Sequence, residues 1–223
     1  NDHSRITMDL GLLVSHDALY FDEPVPDFNL ISAYGILKST NEEPSPHASK
    51  VEQGQGFENI GDETLIWYWG WGAKFICVAR WPRDRLGYFE VVPDPKPNLL
   101  KPEDTHTLFW KRYIDVPIDQ TDPHAVSCPI RIDRHETSIS VNADGISEDS
   151  FLSLELLDEQ CRPIDGLSGA DAAAIREQGL RQTAIWTDSQ TLDLAGQTIR
   201  IKVTWQGKRP DDTHLYALYV NES

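Results

Sequence analysis

The chain has 223 residues, 39% of them hydrophobic, with seven Trp. That length fits one or two domains with a real core, and no run approaches the roughly 18 apolar residues of a membrane-spanning helix. The formal charge of −16, spread over both halves, argues against nucleic acid and anionic membranes as partners and suits a neutral ligand such as a sugar, or simple acidic solubility.

In chain order, the first elements are strand pairs. Asp9–Ser15 leads through His16-Asp17 into Ala18–Phe21, and the pair ends at Glu23-Pro24. An extended stretch near Phe28–Leu37 runs into a polar connection, Asn41–His47. Gln53–Phe57 then enters a second set: Gly56–Ile60, a turn at Gly61-Asp62-Glu63, Thr64–Trp71, Phe75–Trp81 and Leu86–Glu90. Short strands joined by tight acidic turns are how β-propeller blades look in sequence. About a blade and a half is present, where a propeller takes at least about four. Leu65, Trp67, Trp69 and Trp71 fall on one strand face, Ile66 and Tyr68 on the other, so this strand needs cover on both sides.

Pro93–Pro97 carries three prolines in five residues, which neither a helix nor an inner strand accommodates. The domain boundary is placed there, with residues 1–92 as the end of a propeller and 93–223 as a β-sandwich of jelly-roll or lectin-like type. Its candidate strands are Thr107–Ile114, Ile130–Asp133, Thr137–Asn142, Phe151–Leu157, Thr183–Trp186, Thr198–Trp205 and Leu215–Val220. Ile199, Ile201, Val203 and Trp205 alternate with polar residues, the pattern of a strand with one wet face. Asn142-Ala143-Asp144-Gly145 reads as a turn. One short helix is expected over Ala170–Gln178, with Ser168 and Asp171 as a capping box and Gly179 as the stop. The fold class is therefore all-β: partial propeller blades followed by a sandwich with one short helix.

Chemical motifs are sparse. Cys77, Cys128 and Cys161 form neither a disulfide scaffold nor a metal cluster; Cys77 reads as a buried small hydrophobe, and Cys128 and Cys161 could pair if the protein is exported. The seven His show no metal spacing, and Asp144-Gly145 falls short of a calcium loop. No metal and no cofactor are expected. There is no nucleophile elbow and no phosphate loop. Arg80, Arg83 and Arg85 around Trp81 and Asp84 read as an anion site or, more simply, as a surface ion-pair cluster.

Asp9–Ser15, Ser15–Phe21, Gly61–Leu65 and Val78–Phe89, in that order, resemble the C-terminal part of five-bladed propeller glycoside hydrolases of the family 32 and 43 type. Ala18 stands where that resemblance wants Gly. Cys128–Ile130, Asn142–Gly145 and Leu215–Tyr219 are similar to the accessory sandwich of such proteins. The resemblance implies that the chain begins inside a fourth blade, so the blades bearing the catalytic acids are missing and no catalytic residue is carried over. It implies a parent glycoside hydrolase and a chain inactive by itself, with those N-terminal blades and carbohydrate as partners. Asn1 in place of Met fits processing or truncation and leaves localisation open, with an extracytoplasmic setting favoured. Uncovered sheet edges favour self-association.

If Gly54–Ile60 lines a propeller axis, Gln53, Gln55, Glu58 and Asn59 are the residues placed to touch a sugar, with Trp71 at the end of the Trp stripe as a stacking surface. The plain alternatives are that Glu58 and Asn59 satisfy backbone groups and that the stripe is core. Three readings of the whole follow: a C-terminal piece of a carbohydrate-active protein whose sandwich braces the propeller or binds glycan, a purely structural interaction module without a ligand, or one enzyme domain in which residues 1–92 form a complete small sheet that joins the sandwich.

Overall fold

The computed structural model describes residues 8–15, 18–23, 25, 28–33, 50–70, 76–91, 122–187 and 189–223, apart from the side chain of Gln55. Trp71, the proline run at 93–97, the candidate strand at 107–114 and the turn at 16–17 lie outside them. The described residues are all-β, arranged in several antiparallel sheets, and the chain divides into two compact units, Asn1–Leu86 and Gly87–Ser223.

In the first unit a short pair, β1 (Leu10–Gly11) with β2 (Asn29–Ile31), accompanies a three-stranded meander of β3 (Val51–Ile60), β4 (Glu63–Gly70) and β5 (Cys77–Pro82). Gly61-Asp62 closes the β3–β4 hairpin, with Gly61 at φ +57°, the conformation that the first central position of a type II′ turn requires. As the alternation in β4 predicts, Ile66 turns to one face and is buried with Ile31, Ala33 and Val51, while Tyr68, Ala79 and Trp81 pack against that cluster. Leu65, Trp67 and Trp69 lie on the other face, beside Arg80 and Val78 of β5. On that side Trp69 is 39% and Val78 is 42% exposed.

The second unit holds β6 (His124–Val126), β7 (Ile130–Arg131), β8 (Thr137–Asp144), β9 (Phe151–Asp158), β10 (Ala173–Ile175), β11 (Gly179–Thr183), β12 (Thr198–Gln206) and β13 (His214–Glu222). One sheet runs β10-β9-β12-β6, with β7 also beside β12; the other runs β11-β8-β13. Neither closes into a barrel. The core joins both sheets: Ile139, Val141 and Ala143 of β8, Leu152, Leu154 and Leu156 of β9, Ile199, Ile201, Val203 and Trp205 of β12, and Trp186. Alternation in β8, β9 and β12 sends every second residue inward, which is what makes this a sandwich.

The helix expected over 170–178 is not formed. A single 3₁₀ turn, Gly169–Asp171, is followed by β10, which pairs with Leu152–Leu154 of β9. Ala173 and Ile175 alternate into the core, so burial at period two and the hydrogen bonds of an open sheet edge override an alanine-rich helical preference. Ser168 makes no helix cap; its hydroxyl donates to the Leu156 carbonyl. The candidate strand at 183–186 is displaced as well: β11 ends at Thr183, and Trp186 instead pairs with Ser189 in a small loop. Cys128 and Cys161 are exposed free thiols, so no bridge joins them.

The turn read at Asn142–Gly145 sits later than expected. Asn142 and Asp144 still belong to β8, and the chain reverses from Gly145, at φ +70°. A side chain at Gly145 would run into the backbone of Asp212, so only glycine fits.

Candidate functional site

Of the residues singled out on β3, Gln53 lies opposite Tyr68 and Asn59 opposite Thr64, on one face of the meander, while Glu58 lies opposite Leu65 on the other. Strand alternation sets Glu58 on the face opposite Gln53 and Asn59, so they do not converge. Asn59 is committed locally. Its amide donates to Asp84 at 2.8 Å and accepts from the Thr64 hydroxyl at 2.6 Å, and that hydroxyl accepts the Asp84 N–H. This ties the end of the β3–β4 hairpin to the turn after β5. Glu58 and Gln53 are exposed. The nearby arginines form ion pairs, Arg80 with Glu63 and Arg83 with Asp84, each at 3.6 Å.

A denser set of polar and aromatic groups sits on the outer face of the β11-β8-β13 sheet. Because Ile139, Val141 and Ala143 point into the core, Ser138, Ser140, Asn142 and Asp144 line the opposite face. β13 runs beside this row with a bulge between Leu215 and Ala217. The extra residue keeps Leu215 and Leu218 on the core side and lets both Tyr216 and Tyr219 reach the β8 row. Asn142 is fully buried and donates its amide to the Tyr219 hydroxyl at 3.4 Å. From the opposite edge, Arg181 of β11 lays its guanidinium 4.6 Å from the centre of the Tyr219 ring.

At the end of the row the groups interlock. The Asp144 carboxylate accepts a hydrogen bond from the Tyr216 hydroxyl at 2.9 Å and one from His214 Nδ1, also at 2.9 Å. With its Nδ1 proton committed, His214 presents Nε2 to the Glu90 carboxylate at 3.6 Å. The segment carrying Glu90 is fixed by a two-way backbone pairing of Phe89 with Leu215, at 2.8 and 3.0 Å. Tyr88 then stacks on His214, ring centres 4.3 Å apart, and meets Tyr216 edge-on at 5.6 Å. Tyr88 is 51% exposed.

Chemically this arrangement offers aromatic surface, two carboxylate acceptors and an imidazole in one place. It does not resemble a nucleophilic site, because the group facing His214 Nε2 is a carboxylate. Among the described residues no cluster of His, Cys, Asp and Glu could hold a metal ion, and no helix is long and apolar enough to cross a membrane.

The other sheet carries a half-buried ion pair on its outer face. Burial alone would raise the Glu155 carboxyl. The Lys202 ammonium at 2.9 Å and the Gly169 N–H at 2.8 Å outweigh it and hold the group below the usual carboxylate range.

The β8 row was visible as alternation, but its aromatic partners were not. The bulge breaks the period in β13, and Tyr88 and Glu90 arrive from a distant part of the chain. Comparisons with protein-family models, with curated proteins and with solved structures find no match to this chain.

Proposed function

We propose that the Gly87–Ser223 unit is a carbohydrate-binding sandwich, the non-catalytic part of a carbohydrate-active protein. The observation that carries this reading is the exposed Tyr88 ring set beside Tyr216 and the carboxylates of Glu90 and Asp144. Sugars present C–H faces that stack on aromatic rings and hydroxyls that donate to carboxylates, so a ring flanked by charged acceptors matches both halves of a pyranose. The polar row of β8 holds these groups in place by hydrogen bonds, which limits the entropy lost on binding.

Glycan-array screening followed by calorimetry on the full chain tests it. A glycan that binds the native chain and is lost in Tyr88→Ala and Glu90→Gln supports the reading. Absence of binding across the array, or binding that both variants retain, overturns it.

A second reading rests on a different observation. An apolar cleft of about 230 Å³ opens between β6 and β13, lined by Phe89, Val126, Ile201, Val203, Leu215 and Leu218. Such a surface suits packing against another protein element, the role of a structural module without a ligand. An empty glycan array with an intact fold would favour it.

A further inference from the structure

The geometry points to an acidic oligosaccharide as the ligand of the β11-β8-β13 face, with its anionic group received by Arg181; this rests on the carbohydrate reading above and narrows it. The chain as a whole carries 36 acidic against 20 basic residues. On this face the acids are few and sit at the ends of the strands. β8 contributes one acid, Asp144, at its end; β11 contributes none; β13 contributes Glu222, also terminal. Asp144 is held by His214 and Tyr216, and Glu222 accepts the Asp133 and Arg134 N–H groups at 2.9 and 3.0 Å. Between those two ends Arg181 is the lone charged side chain on the three strands.

Arg181 is exposed and, among the described residues, has no carboxylate partner. Arg131, Arg162 and Arg209 of the same unit each face an Asp; Arg181 does not. Instead the guanidinium lies over the Tyr219 ring, and Asn142 steadies the hydroxyl of that ring from below. Stacking orients the planar fork while leaving its donors available, the preparation that bidentate binding of a carboxylate or sulfate ester needs. Tyr219 stands opposite Ser140, four residues along β8 from Asp144, a span of roughly 13 Å. A ligand reaching both the Arg181 end and the Tyr88–Glu90 end is therefore longer than one sugar ring, neutral where it meets the carboxylates and anionic where it meets Arg181. The repulsion of the distant acids is screened beyond about 8 Å at physiological salt.

Calorimetry on the full chain at physiological salt, with an oligogalacturonate, a sulfated galacto-oligosaccharide and the matching neutral galacto-oligosaccharide, decides the matter. One of the two acidic oligomers is expected to bind at least about tenfold more tightly than the neutral one, the worth of a charge-assisted hydrogen-bonded pair. Arg181→Gln should abolish that preference and leave neutral binding unchanged, and Arg181→Lys should restore only part of it. Equal binding of acidic and neutral oligomers, or a preference that survives Arg181→Gln, overturns the inference while the carbohydrate reading stands. If none of the three binds but another neutral glycan on the array does, the inference also fails and that reading survives. If nothing on the array binds, both fall.

Discussion

Tyr216 donates its phenolic proton to the carboxylate of Asp144 at 2.9 Å, across the pairing of β13 with β8. The other oxygen of the same carboxylate takes the Nδ1 proton of His214, so one acid fixes two neighbours of a separate strand. Asp144→Asn replaces an acceptor by an amide that must turn its NH₂ toward one of these donors. The variant is expected to lose about 1–3 kcal/mol of stability, read as a lower urea midpoint at unchanged slope. His214 should lose its fixed tautomer, seen as averaged imidazole ¹⁵N shifts.

Glu155 should make stability depend on pH on the acid side. Its carboxyl is opposed by burial but pulled down by Lys202 and the Gly169 N–H, for a net depression below 4.5. A depressed acid contributes stability above its unfolded value, and that contribution is lost as pH falls through the folded one. Urea midpoints of the native chain and of Glu155→Gln should therefore differ most near neutrality and converge well below pH 4.5. A gap that stays constant to low pH would show that the pair acts by packing alone.

Gly145→Ala should be among the most damaging single changes in the second unit. The position combines φ +70° with a backbone neighbour where the new methyl would stand. A cost above about 2 kcal/mol is expected by thermal unfolding, against near neutrality for Gly87→Ala, which has no atom within 4 Å of the added carbon.

The three thiols should react with a thiol reagent at unequal rates. Cys128 and Cys161 are exposed, and Cys77 is half-buried in β5, hydrogen-bonded to Tyr68. A thiol reagent on the native chain should label Cys128 and Cys161 quickly and Cys77 slowly, with all three equal after unfolding.

Sequence patterning carried the sandwich strands well because their signal is local. Ile199, Ile201, Val203 and Trp205 announce the inner face of β12 without reference to any other strand. The segment at 170–178 misled for the complementary reason: its alanines favour helix locally, and only the neighbouring edge of β9 makes the extended form better. Asp144 was assigned to a turn because Asp-Gly is a turn signal, although β8 runs through it. The site on this face depends on pairings such as His214 with Asp144, 70 residues apart, which no short-range pattern encodes. On β3 Gln53 and Glu58 stand five residues apart, and strand alternation sends them to opposite faces.

The extra residue in β13 acts as a phase shifter. Ironing out the bulge with all nine residues of the strand kept would rotate half of it by one step. Tyr219 would then turn toward the interior and Leu218 toward solvent, so the face would lose its aromatic rim and the core its apolar lining together. In a lineage of such sandwiches, this aromatic face would be traced by the one-residue offset in β13, which composition and hydropathy profiles do not register.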